Sequence, residues 1–255
     1  MDDHVRAERA LSFGQTAEQY DRWRPGYPEQ LYTDVLAAGT GNLILEAGAG
    51  TGRATLALAE RGAIVTAIEP DLDMAEIARS RTSGHRVRVL NAAFEDTDPN
   101  LGQFDIVAAA QSWHWINPTQ GNAVATAALK DGGALCLWWN RPGALTGPVW
   151  DRIRDAYTRI APELPPPGTK QEQQAKSTPV QHITGFTPWT NRTYEWSHRY
   201  TAHSFCALVG TYSDHIRLGA DQRDQLLTAV RKIITATGTL DHPYRTELIT
   251  AKREI

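Results

Sequence analysis

The chain has 255 residues, 41% hydrophobic and 22% charged, with a formal net charge of -3. That balance belongs to a globular protein with a sizeable core; it excludes wholesale disorder and argues against the extended basic face of a processive DNA or RNA binder. Cys136 and Cys206 are the only cysteines and lack metal-ligand spacing, and no apolar run approaches the roughly 20 residues that span a bilayer. A cytoplasmic protein with no metal, no membrane anchor and no nucleic-acid partner is expected.

Past a polar start, residues 28–38 read as a helix, with Pro28 suited to a first helical position and Leu31, Val35 and Leu36 on an apolar face. Gly39 and Gly41 stop it. Apolar runs and helical stretches then alternate: a strand over 42–48, a helix over 53–62 closed by Gly62, a strand over 63–69. A helix over 71–81 follows, with Asp71 as N-cap and Met74, Ile77 and Ala78 inward. Strands over 86–92 and 104–110 come next, then a helix over 118–130, an Asp-Gly-Gly turn at 131–133 and a strand over 134–140. Apolar strands separated by helices predict a parallel sheet covered on both faces, hence a doubly wound α/β sandwich.

After Asn140 the pattern changes. Residues 148–160 place Val149, Trp150, Ile153, Tyr157 and Ile160 on one helical face, and 161–180 are proline-rich, polar and loop-like. An exposed strand over 190–200, helical stretches over 202–217 and 221–235, and a last strand over 244–254 complete the chain. We read one domain over 1–255. Within it lie an N-terminal segment (1–40), a ligand-binding core (42–140), a lid or substrate elaboration (141–185) and a part completing the sheet (186–255).

"ILEAGAGTG", Ile44 to Gly52, runs from a strand into a glycine-rich turn and a helix. Such a turn presents backbone N–H groups and a positive helix end at the carboxyl edge of the sheet, where open α/β sheets bind ligands. A dinucleotide fingerprint fits neither register, since its last glycine falls on Arg53 or Thr55. Glu46 would repel a pyrophosphate in a partly dry crevice but attract the ammonium and sulfonium of S-adenosylmethionine. The bland alternative has Glu46 capping a helix or pairing with an arginine. Glu69 ends the next strand, where the βαβ geometry presents a carboxylate to the ribose of either cofactor. Pro70 either lies against an adenine or merely forms the turn.

At these residues the chain resembles the class I S-adenosylmethionine-dependent methyltransferases, in particular the small-molecule group that includes trans-aconitate-type and ubiquinone-pathway-like enzymes. "ILEAGAGTGRAT" is similar to their glycine motif, "AIEPDLDMAEIAR" to the acidic ribose motif, "NAAFEDTD" to the adenine-side motif and "FDIVAAAQSWHW" to the fourth-strand motif. "AEQYDRWRPGYP" resembles an N-terminal segment of the same group. The resemblance implies a seven-stranded, mostly parallel sheet with an antiparallel last strand and a helical lid. It also implies S-adenosyl-L-methionine as cofactor, S-adenosyl-L-homocysteine as product and a small-molecule acceptor. By position, Gly48, Gly50 and Gly52 would wrap the methionine part with Glu46 nearby, and Glu69 would hold the ribose diol. Tyr20 and Arg24 would cover the methionine carboxylate, or else pack an aromatic helix face on the sheet. Ala93 stands where many relatives have aspartate, leaving the Phe94 backbone and the Glu95 side chain for the adenine.

Gln111, Ser112, Trp113, His114 and Trp115 would then lie beside the transferable methyl. The Asn/Asp-Pro-Pro-Tyr/Phe tetrapeptide of enzymes that methylate base amines is absent, which points to oxygen of a small molecule. His114 is either the base for a hydroxyl acceptor or a structural histidine. Trp113 and Trp115, at alternate positions of an extended segment, would face core and pocket in opposite senses. For a carboxylate acceptor no base is needed, and Arg141 in the lid would supply the cation. The competing functions are an S-adenosylmethionine-binding module without turnover and an RNA-modifying methyltransferase.

Overall fold

The computed structural model describes residues 23–98, 101–167 and 183–254. Helix α1 (Glu29–Ala38) precedes strand β1 (Leu43–Ala47), α2 (Arg53–Glu60), β2 (Ile64–Glu69), α3 (Leu72–Arg81) and β3 (Val87–Asn91). Strand β4 (Phe104–Ala110), α4 (Pro118–Ala128) and β5 (Leu129–Pro142) extend the alternation. The remainder is α5 (Pro148–Ile160), β6 (Thr190–Thr201), α6 (Ala202–Gly210), the short α7 (Ser213–Ile216), α8 (Ala220–Thr235) and β7 (Thr239–Lys252).

The seven strands form one sheet in the order β3-β2-β1-β4-β5-β7-β6. Strands β1 to β5 pair in parallel, and β7 runs antiparallel to both β5 and β6, so β7 alone is reversed. The strand order turns back between β1 and β4, which opens a crevice at their carboxyl ends. Asp71 caps α3 as expected, its side chain accepting from the Met74 N–H. Among the described residues no helix is long and apolar enough to cross a membrane.

Three elements differ from the sequence expectation. The Asp-Gly-Gly segment is no free turn: β5 begins at Leu129, and its register on β4 jumps from Phe104↔Leu129 to Ile106↔Ala134, absorbing the extra residues as a bulge. The expected helix over 202–217 breaks after Gly210, where the Thr211 hydroxyl turns back on the Leu208 carbonyl. Strand β7 starts at Thr239, because Thr239 to Pro243 pair with β6 beyond the reach of β5.

That overhanging hairpin carries its own core. Trp150, Ile153 and Tyr157 of α5, Phe205 and Val209 of α6, Leu226, Val230 and Ile234 of α8, and Tyr200, Leu240 and Tyr244 of the hairpin pack together. Helix α5, assigned to the lid segment by sequence, is thus built into this lobe; residues 168–182 of that segment lie outside the described residues. His242 sits inside the lobe, 1% exposed, stacked on Tyr244 at 4.3 Å between ring centroids and edge-on to Trp150.

Burial, only partly offset by donation from Nδ1 to the Pro243 carbonyl, pushes the His242 pKa down to about 4. A depressed pKa contributes stability that is present above the unfolded value and lost as pH falls towards the folded one. Between pH 6.5 and 4 the fold should lose up to about 3 kcal/mol on this account. Denaturant melts across that interval should show the loss, and His242→Phe should flatten it.

Candidate active site at the carboxyl edge of the sheet

The loop after β1 holds its three glycines in the left-handed region, with φ of 69° at Gly48, 58° at Gly50 and 80° at Gly52. The reasons differ. A Cβ on Gly48 would stand 2.5 Å from the Ser112 Cβ, and one on Gly52 would stand 3.1 Å from Ala78 of α3. A Cβ on Gly50 would meet nothing within 4 Å, so there the backbone turn itself demands glycine and the space beyond is open. Protein packing therefore accounts for Gly48 and Gly52, and Gly50 borders open room.

Two buried acids lie beneath this loop. Glu46 is 0% exposed, and its Oε2 accepts a 2.6 Å bond from the Thr55 hydroxyl in the first turn of α2. It neither caps a helix end nor pairs with an arginine in these contacts. Its Oε1 is buried with no hydrogen-bond partner among the described residues. Burial raises its pKa to about 7; the Thr55 bond lowers it and nearby Glu69 raises it further. Glu69, 4% exposed, accepts the Gly50 N–H at 2.7 Å and the Asp71 N–H at 3.0 Å, one on each oxygen. Burial raises the Glu69 pKa and these two N–H groups oppose it. A carboxylate oxygen has two lone pairs, so both retain an acceptor site for a ribose diol.

The adenine-side residues are more committed to structure. The Glu95 carboxylate accepts the Asn117 N–H at 2.6 Å, just ahead of α4. Phe94 is buried against Trp113, its carbonyl taking the Thr97 N–H. Ala93 and Pro70 are half-buried, and the Pro70 carbonyl is held by the Asn91 side chain at 2.9 Å. Asn91, the first residue of the adenine-side stretch, also reaches the Glu69 carbonyl, joining β3 to the ribose acid.

Beyond β4, Gln111 is the single non-glycine residue with positive φ, 61°, among the described residues. Ser112 donates to the Ala47 carbonyl and so ties this loop to the end of β1. Trp113 to Trp115 form a 3-10 turn and not an extended segment. Trp113 is core, packed on Phe94, and is not a pocket residue; Trp115 is half-buried against the His114 ring. His114 Nδ1 accepts from the Trp139 indole N–H at 3.4 Å. Burial of the ring and then the Arg141 cation push the His114 pKa down to about 4, although the residue as a whole is exposed. Arg141 is not in a lid: pairing with β7 carries β5 on to Pro142, and Arg141 Nε donates to Glu247 at 2.7 Å. Arg24 lies over the Tyr212 ring at 5.1 Å, and Tyr20 falls outside the described residues. An open glycine turn, an orphaned buried carboxylate oxygen and a second acid with spare lone pairs fit a cationic adenosyl ligand.

Residues 44–133 match the family described as Methyltransferase domain. An uncharacterized methyltransferase of Mycobacterium tuberculosis is 30% identical over 239 residues, covering 90% of this chain and 88% of the relative. A magnesium-protoporphyrin O-methyltransferase of Rhodobacter capsulatus is 32% identical over 114 residues, 39% of this chain and 51% of that one. Among solved structures, a type II methyltransferase from Anaeromyxobacter dehalogenans shares the fold with a TM-score of 0.67 at 23% identity, covering 90% and 97% of the two chains.

Glu46 has a folded pKa above its unfolded value. Its favourable contribution is therefore complete below about pH 4.5 and is lost as pH rises through 7. Above that, the buried carboxylate costs up to about 3 kcal/mol. Glu46→Gln should stabilise the free protein at pH 8, with the gain fading towards pH 5 in urea titrations at the two pH values.

Proposed function

The chain belongs to the S-adenosylmethionine-dependent methyltransferases, and from that premise we propose that it methylates a small molecule at an oxygen already ionised on arrival, such as a carboxylate. The contact that carries this reading is the one between Trp139 and His114. An indole N–H can only donate, so Nδ1 of His114 is its acceptor and the neutral ring keeps its proton on Nε2. In that tautomer His114 has no lone pair left to take a proton from a hydroxyl. It can donate to an acceptor oxygen and help place it.

The missing base-amine tetrapeptide after β4 supports a small-molecule acceptor, and the Rhodobacter capsulatus relative, by its name, transfers to oxygen. S-adenosylmethionine, when bound, would supply a sulfonium methyl to which the acceptor oxygen bonds as the C–S bond breaks, with S-adenosylhomocysteine as the leaving group. The chain's residues align, bind and exclude water. Glu69 takes the ribose diol on its remaining lone pairs. Glu46 faces the methionine ammonium with the orphaned Oε1, and the Gly48–Gly52 loop follows the same part of the ligand. Arg24, with Tyr20, meets the methionine carboxylate. The half-buried Ala93, the Phe94 backbone, Glu95 and Pro70 border the adenine, and Gln111, His114 and Trp115 border the methyl. Trp113 and Arg141 act from behind, as core and as the partner of Glu247. Within the described part of the N-terminal segment, residues 23–28 cover the cofactor.

Radiolabelled S-adenosylmethionine offered with matched carboxylic acids and phenols should give labelled esters and little labelled ether. His114→Gln keeps an acceptor for Trp139 and should retain kcat/KM within about threefold, and the native profile should show no inflection near pH 4, where burial sets the His114 pKa. A base would cost about 10²- to 10⁴-fold on removal. A loss of that size, together with an inflection near pH 4 in the native enzyme that His114→Gln abolishes, would overturn the reading.

A further inference from the structure

Asn140 stands at the carboxyl end of β5, where three separate parts of the chain converge. Its Nδ2 donates to the Gly26 carbonyl at 2.8 Å, reaching the segment that carries Arg24. Its Oδ1 accepts the Thr246 hydroxyl at 2.6 Å, and Thr246, fully buried on β7, accepts the Trp196 indole N–H of β6 at 2.8 Å. Its backbone carbonyl accepts the Gln111 side-chain amide at 3.3 Å. The amide orientation follows from the chemistry: a carbonyl can only accept, so the nitrogen of Asn140 must face Gly26. The chain Trp196 → Thr246 → Asn140 → Gly26 runs donor to acceptor without interruption.

The surroundings make this relay stiff. Trp196 stacks on Tyr244 with centroids 5.1 Å apart, and Tyr244 stacks on His242, so the first donor is held by the aromatic core of the overhanging lobe. At the far end, Tyr27 packs edge-on to Trp138, two residues before Asn140 on β5. On the other flank, Gln111 holds the left-handed backbone that a non-glycine residue adopts only against strain, and its N–H bonds the Trp138 carbonyl. Asn140 thus sits between the segment that would cover the cofactor and the turn that would border the methyl, and no motif of the sequence marks it.

We infer that Asn140 is a positioning residue for cofactor binding: its amide seats residues 24–27 over the carboxyl edge and transmits to them the rigidity of the β6–β7 hairpin. The inference rests on the reading of residues 23–28 as the cofactor cover. Aspartate in place of Asn140 keeps the acceptor for Thr246, loses the donor to Gly26 and sets a carboxylate against its carbonyl. The native amide is specific in this sense.

The test compares native protein, Asn140→Asp, Thr246→Val and, as a stability control, Val230→Ala in the core of α8. Titration calorimetry with S-adenosylhomocysteine and amide hydrogen exchange over residues 23–28 are the readouts. Asn140→Asp should bind at least tenfold more weakly and exchange faster over 23–28, with kcat at saturating cofactor changed less than KM. Thr246→Val should fall between it and the native protein. Val230→Ala should lower Tm yet keep its affinity within twofold. Native-like affinity together with native-like exchange in Asn140→Asp overturns the inference, as does an equal loss in Val230→Ala. Faster exchange in Asn140→Asp with unchanged affinity shows instead that the segment is seated by Asn140 but does not cover the cofactor, which strikes the covering role alone. Acceptor identity enters none of these readouts, so failure of the oxygen-acceptor reading would leave them unmoved.

Discussion

The Glu69 carboxylate grips the Gly50 N–H with one oxygen and the Asp71 N–H with the other, and the ligand-facing edge is organised about that grip. It joins the end of β2 to the turn after β1 across the parallel pair that brings Ala47 beside Ile68. Asn91 fastens β3 to the same point, and Asp71 goes on to cap α3. A Cβ at position 52 would come within 3.1 Å of Ala78 of α3, so a side chain there fits only if α3 gives way. One charge, desolvated and answered by backbone N–H groups, so sets the height of the loop above the sheet.

Glu46 contrasts with it. A second carboxylate nearby, with one oxygen answered by Thr55 and the other by nothing described, is an unfavourable arrangement for folding alone. Residues kept in such states concentrate where a ligand of opposite charge relieves them. The left-handed backbone of Gln111, a short distance along the same edge, is a second local cost of this kind.

How much was legible in the sequence follows the range of the interactions involved. The strands from β1 to β5, their helices, the Asp71 cap and the glycine turn were legible because periodicity, caps and glycines act within a few residues. The Asp-Gly-Gly bulge was misread since its local signal is a turn, and only the register against β4 makes it part of a strand. The alternation expected for Trp113 and Trp115 assumes an extended backbone, whereas the backbone there coils into a 3-10 turn that buries Trp113. The roles of His114 and Arg141 depend on Trp139 and Glu247, partners supplied by neighbouring strands, and the Asn140 contacts span more than a hundred residues in two directions. No spacing rule carries information of that range.

The strand order has a consequence for how the protein is made. β7 inserts between β5 and β6, both synthesised before it. Until it docks, β5 is a bare edge, Thr246 is missing from beside Asn140, and the hairpin lobe has no floor. The crevice between β1 and β4 can assemble from early, local pairings, whereas its cover waits for the most distant pairing in the chain. Completion of the ligand edge therefore depends on a strand pairing of far longer range than the crevice between β1 and β4 needs.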